Sequence, residues 1–198
     1  MFGDSNVFLT ITPKLSWYVA RSSGIVVWIL VTMSILWGLA LSSRLLRGRA
    51  TPGWVLDLHR YLGGISVVFV GVHIGGLVAD NYVHFGWADI LIPMHVTWRP
   101  GAVAWGVAGF YALVAIEVTS LLRTRIPRRL WRLTHYLSVP LFVACTVHGL
   151  QAGKDSGNRM YVALTVLGVS AVTVLGLIRI ALTRGARTTS PERFTAAT

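Results

Sequence analysis

Five apolar stretches, at about residues 17–42, 54–79, 101–122, 130–150 and 160–182, limit what this chain can fold into. Each is long enough to cross a hydrocarbon layer about 30 Å thick as a helix rising 1.5 Å per residue. Charged residues make up only 13% of the chain and mean hydropathy is +0.64, outside the range of a soluble domain of 198 residues. The expected fold is an all-α integral membrane protein, a bundle of five transmembrane helices forming one membrane domain over residues 1–198. The first stretch does not read as a secretory signal peptide. Its apolar run is too long, arginines follow it, and no small-residue cleavage site is evident.

The net charge of +11 raises nucleic acid as a partner, and the distribution of that charge argues against it. In a five-span arrangement thirteen of the eighteen Lys and Arg fall on one side; the other five are Lys14, Arg21, Arg99, Lys154 and Arg159. This is the positive-inside bias of membrane proteins. It places the N-terminus outside and the C-terminus in the cytoplasm. The polar tail, residues 184–198, reads as disordered. Cys145 is the single cysteine, so an intrachain disulfide, a Cys-ligated zinc site and an iron–sulfur cluster are all excluded.

Four histidines lie inside these apolar stretches, and ionisable groups in a bilayer default to a functional reading. His59 and His73 are 14 residues apart in the second stretch, and His135 and His148 are 13 apart in the fourth. Either spacing covers roughly 20 Å of helix, one histidine near each face. The second and fourth spans both run outward. His59 and His135 therefore share the cytoplasmic half, and His73 and His148 the outer half. Imidazole is an axial ligand of haem iron. Two such pairs on parallel helices would clamp two haems, one above the other, with no open coordination position for a substrate. The competing readings are helix–helix glue and a proton path. The phases are unequal. Fourteen residues close about four turns, whereas thirteen leave His135 and His148 well over 90° apart on an ideal helix. Pro140 lies between them, where a kink or rewinding would correct the phase. Gly63, Gly64, Gly71, Gly75 and Gly149 stand near the histidines. Gly71-x-x-x-Gly75 fits a helix-packing motif, and small residues also make room for a flat macrocycle.

Haem propionates need cations. Arg60, Arg128 and Arg132 are the candidates at the inner end, and Arg21 and Arg99 at the outer end. Topology alone accounts for the inner arginines, and Asp57 is placed to pair with Arg60. Arg21 lies within a span on the sparsely charged side. Glu117, in the third span, suits a proton path, a quinone pocket or pairing with an arginine. In the outer loop, Asp80 to Pro100, His84 and His95 are candidates for a metal or an acceptor, against the commoner role of interfacial surface histidines.

The 14 and 13 spacings on parallel outward spans resemble the NADPH oxidase and ferric reductase transmembrane family. Trp131-Arg132-Leu133-Thr134-His135-Tyr136, His148-Gly149-Leu150-Gln151-Ala152-Gly153 and Arg21-Ser22-Ser23-Gly24 resemble its bacterial stand-alone haem-binding membrane subunits. The resemblance covers about residues 15–183. It implies two b haems, the inner on His59 and His135 and the outer on His73 and His148. It also implies that Arg21 matches the family's arginine beside the outer haem. Two features depart from the family pattern. No Gly-rich nucleotide fingerprint follows the last span, so a separate cytoplasmic flavoprotein reductase is expected as donor. Leu77 stands where superoxide-producing members carry a further histidine.

The reading is a di-haem, b-type, multi-pass electron-transfer subunit of the bacterial plasma membrane, the haem subunit of an oxidoreductase. It would carry electrons from the cytoplasmic reductase to ferric iron, a flavin or a partner reductase outside. A subunit serving methionine sulfoxide repair is a related case. The rival readings are a quinone-coupled cytochrome b, and a non-redox transporter or assembly protein with structural histidines.

Overall fold

A computed structural model describes residues 13–43, 53–80 and 84–188. All regular structure among them is helical: α1 (Pro13–Ser42), α2 (Gly53–Val78), α3 (Trp87–Leu91), α4 (Pro100–Leu121), α5 (Arg128–His135), α6 (Ser138–Ala152) and α7 (Arg159–Thr188), with a 3-10 turn at Asp155–Gly157. Among the described residues five segments are long and apolar enough to cross a membrane: Leu15–Ser42, Gly53–Val78, Pro100–Leu121, Arg128–Ala152 and Arg159–Arg184. The protein is a multi-pass, all-helical membrane protein. Each helix satisfies its own backbone, as hydrocarbon demands.

The chain divides into two units: residues 1–29 with 65–154, and residues 30–64 with 155–198. In the first, α4 packs chiefly along α6. Pro100 occupies the first turn of α4, where its missing N–H removes no intrahelical bond. The loop between the second and third spans folds onto this helix. Phe85, Val96, Val103 and Val107 form a buried cluster, with Leu77 and Trp98 against it. The Tyr111 hydroxyl donates to the Leu91 carbonyl at 2.9 Å, tying α3 to α4. In α1, Trp28 Nε1–H donates to Thr146 Oγ1 on α6 at 3.0 Å. In the second unit α7 starts on Asn158, whose side-chain oxygen accepts the Met160 N–H at 2.9 Å.

The fourth span is interrupted. Helix α5 ends at His135 and α6 begins at Ser138, and Tyr136 and Leu137 take ψ of −17° and −11°. Leu137 N–H bonds the Thr134 carbonyl and Val139 N–H the Tyr136 carbonyl, a three-residue spacing. Pro140 explains the position, since it has no N–H to return to Tyr136 four residues before. A 3-10 stretch turns about 120° per residue instead of 100°. Thirteen ideal α-helical steps fall about 140° short of four turns, so overwinding rotates His135 and His148 towards one face. The break supplies about 20° of extra turn per residue over two or three residues, a part of the rewinding that the spacing called for, and it falls ahead of the proline.

The polar end of the last span differs from the expectation. Helix α7 continues through Arg184 to Thr188, because adding residues to an existing helix is easy compared with starting one. The rest of the expected disordered tail lies outside the described residues, as do Arg44, Arg47 and Arg49.

Candidate haem-binding site

Two of the four histidines meet in the first unit. The rings of His73, on α2, and His148, on α6, have centroids 6.2 Å apart and planes at 88°. Each ring is anchored through Nδ1 to a main-chain carbonyl. His73 Nδ1 is 2.6 Å from the Ala20 oxygen on α1, and His148 Nδ1 is 2.8 Å from the Ala102 oxygen on α4. A carbonyl oxygen only accepts, so Nδ1 carries the proton and Nε2 keeps its lone pair. In the second unit His59 Nδ1 is 3.0 Å from the Ser34 carbonyl oxygen and 3.3 Å from its hydroxyl. In three of the four histidines Nδ1 is thus committed to a carbonyl, the tautomer in which a metal would bind through Nε2.

A glycine lies under each of these three rings. A Cβ on Gly24 would meet His73 Nδ1 at 3.0 Å, one on Gly38 would meet His59 Cε1 at 3.2 Å, and one on Gly106 would meet His148 Nδ1 and Cε1 at 2.8 Å. The glycines that stand near the histidines in sequence are different ones. Among the described residues nothing lies within 4 Å of a Cβ at Gly64, Gly71 or Gly75, so the Gly71-x-x-x-Gly75 motif makes no close contact with a described helix. The close helix contact is one residue on, where a Cβ on Gly76 would come 2.8 Å from the Ala20 nitrogen.

His135 closes α5 and stacks on Trp131, with centroids 5.1 Å apart and planes at 26°. The Arg123 guanidinium lies 6.0 Å from the centre of the same indole. Thr134 Oγ1 is 3.0 Å from Thr119 Oγ1, which itself bonds the Ala115 carbonyl at 2.7 Å.

These residues fit haem on three counts. A metal held in line between two imidazoles sits about 2 Å from each nitrogen, which sets the ring centres about 6 Å apart. The distance between His73 and His148 matches. The glycines under the rings leave space that a Cβ would fill. The indole nitrogens of Trp37 and Trp131 are buried without an acceptor among the described residues, and a carboxylate such as a propionate suits such donors. Among the described residues no three His, Cys, Asp or Glu side chains form a metal cage. Two imidazoles suffice where a macrocycle supplies the other ligands.

The arginines read as propionate partners already have other contacts. Arg21 lies 4.8 Å from the centre of the Trp17 ring. Arg60 pairs with Asp57 at 3.5 Å, both largely exposed, as the sequence anticipated. Arg99, left-handed at φ 45°, caps α4, donates to the Gln151 carbonyl at the end of α6, and lies 5.3 Å over the Trp98 ring. Arg132 borders a surface depression of about 350 Å³ with Arg128, Arg129, Leu133 and Tyr136. Glu117 forms no ion pair with a described arginine. In the loop between the second and third spans His84 is exposed at φ 55°. His95 Nδ1 donates to Asp89 Oδ1 at 2.7 Å, and the Gly86 N–H donates to Asp89 Oδ2 at 2.9 Å. The His95 bond first, and the Gly86 bond second, hold the Asp89 carboxyl below its ordinary range.

Membrane-length helices that bring two partly buried imidazoles together, each with Nδ1 committed to a carbonyl, define a class of multi-pass proteins suited to holding a flat metal macrocycle. The model of the ferric reductase like transmembrane component matches residues 23–146 of the chain, which belongs to that family. An uncharacterized protein of Archaeoglobus fulgidus is similar, 29% identical over 132 residues that cover 63% of this chain and 70% of the relative. No solved structure matches the chain.

Proposed function

We propose that this protein is the membrane subunit of an electron-transfer system, holding two b haems. His73 and His148 would be the axial ligands of the outer haem, and His59 and His135 those of the inner one. The observation that carries the reading is the His73–His148 pair: two partly buried rings with centres 6.2 Å apart, each with Nδ1 committed to a carbonyl. The second pair rests on the matching sequence spacing and on the anchored His59 ring. Bound haem supplies a one-electron centre.

The chain's own residues orient the imidazoles, keep Nε2 available and exclude water. Haem held by two histidines would offer substrate no place on its iron, so its electrons would go to an acceptor held near the site. The uneven arginine distribution favours an outer N-terminus and a cytoplasmic C-terminus. Electrons would then pass from a separate cytoplasmic flavoprotein reductase to ferric iron, a flavin or a partner reductase outside. The setting would be a bacterial plasma membrane, with the chain forming a single membrane domain. Arg21 and Arg99 would lie towards the outer propionates, and Arg60 and Arg132 towards the inner ones.

The test is the haem content and spectrum of the purified protein. Two b haems per chain are expected, six-coordinate and low-spin, with His73→Ala losing one and keeping the other. A Soret band absent from fresh protein, or His73→Ala retaining both haems, would refute the proposal.

A further inference from the structure

The three anchored histidines share a construction that their side chains alone do not reveal. The accepting carbonyl and the glycine are four residues apart each time: Ala20 and Gly24, Ser34 and Gly38, Ala102 and Gly106. There is a physical reason for the interval. In an α-helix the carbonyl of one residue already accepts the N–H of the residue four further on. The Cβ of that later residue lies beside the carbonyl and screens its second lone pair. Glycine removes the screen. A ring from the neighbouring helix can then descend and donate to an oxygen that is otherwise covered.

The spacing extends along the helix. Gly24 and Gly38 are 14 residues apart on α1, the interval between His59 and His73 on α2. Residue numbers rise on one helix as they fall on the other, so Gly24 faces His73 and Gly38 faces His59. On α4 the interval between His135 and His148, counted on from Gly106, arrives at Thr119. There the side chain is present, and its hydroxyl takes the carbonyl four residues back, Ala115. His135 is placed by its stack on Trp131.

We propose that Gly24, Gly38 and Gly106 are positioning residues for His73, His59 and His148. Each opens a helix carbonyl that fixes its histidine in the Nδ1–H tautomer and sets the ring's orientation. For haem this inference rests on the ligand reading given above; the tautomer part stands on the hydrogen bonds alone. Donation from Nδ1 to an acceptor makes Nε2 more basic and favours ferric iron, and losing such a partner weakens a metal's hold ten- to a hundredfold.

The experiment compares Gly106→Ala and Gly38→Ala with Gly71→Ala, where nothing lies within 4 Å. Nitrogen-15 spectra of labelled histidine in haem-free protein report the tautomers without haem, and His→Gln variants assign the signals. Wild type and Gly71→Ala should show His59, His73 and His148 as Nδ1–H. Gly106→Ala should release His148 from that form, and the milder Gly38→Ala should do so for His59. In haem-loaded protein, Gly106→Ala should hold its haem at least tenfold more weakly. Any haem retained should be about tenfold easier to reduce, an upward shift of 59 mV for a one-electron couple. A wild type with the Nδ1–H signals but no haem would overturn the ligand reading and leave the seats standing. If both seat variants keep the wild-type tautomers, or Gly71→Ala disturbs them equally, the seats are refuted.

Discussion

Arg99 joins the start of α4 to the end of α6, and its removal has a calculable effect. The guanidinium donates to the Gln151 carbonyl, one of the four that a helix leaves unpaired at its C-terminus. A hydrogen bond to a charged group contributes about 1.5–3 kcal/mol, which exposure of this side chain reduces to about 1 kcal/mol. The Trp98 ring adds about 0.5–1 kcal/mol. Arg99→Ala loses both, about 1.5–2 kcal/mol, and keeps the left-handed backbone at φ 45°. For a chain of this size that lowers Tm by about 3–8 °C. Arg99→Gly loses the same contacts but relieves a left-handed strain of about 1–2 kcal/mol. Part of that relief is offset by the greater freedom of glycine in the unfolded chain. The glycine variant should therefore melt about 1–3 °C above the alanine variant. Thermal melts in detergent, followed by tryptophan fluorescence, make the comparison. If Arg99→Ala melts like wild type, or Arg99→Gly melts below it, the clasp does not hold α4 to α6 as described. The clasp also bears on the site, since Ala102 and His148 each lie three residues inward from its ends.

Gly76→Ala should destabilise by about 1–3 kcal/mol, because the new methyl meets the Ala20 backbone at 2.8 Å and backbone cannot rotate away; Gly75→Ala, in open space, should be neutral in the same melts. The loop that carries Asp89 should loosen at low pH. Asp89 has a lowered pKa in the folded chain, so the unfolded form takes up the proton first and stability there rises with pH. The Asp89 contribution should be intact above the ordinary value of about 3.9 and be lost as pH falls through the lowered one. Protease nicking between α3 and α4 would show this, and Asp89→Asn should remove the dependence.

Length and apolar character made the five spans legible, since hydrocarbon leaves the backbone no alternative to pairing within a helix. The second span, expected at about 54–79, is Gly53–Val78 in the structure. The need to rewind between His135 and His148 was also legible, from the mismatch of 13 residues with whole turns. The location of the break was not, because Pro140 acts on the carbonyl four residues before it. The close pairing of His73 and His148 follows from parallel spans. What held the rings did not show. Their acceptors are backbone carbonyls on other helices, and a carbonyl leaves no mark on residue type. One signal was available: Gly24 and Gly38 repeat the interval of His59 and His73 on an adjacent span. Gly71 and Gly75 drew attention instead because they share a helix with the histidines. The folding of the loop between the second and third spans did not show either. Its cluster joins Phe85 and Val96 to Val103 and Val107, a combination that local pattern does not disclose.

The main-chain acceptors have a consequence for how mutation can reach this protein. Ala20, Ser34 and Ala102 each offer a peptide oxygen, and a peptide oxygen is specified by no codon. A side chain change at these three positions leaves the acceptor in place. The same support built from aspartate or asparagine side chains would be lost by a single base change. Here hereditary vulnerability moves to the glycines, where almost any missense change adds a Cβ beneath an imidazole. Damage would enter by crowding, at residues with no functional group of their own.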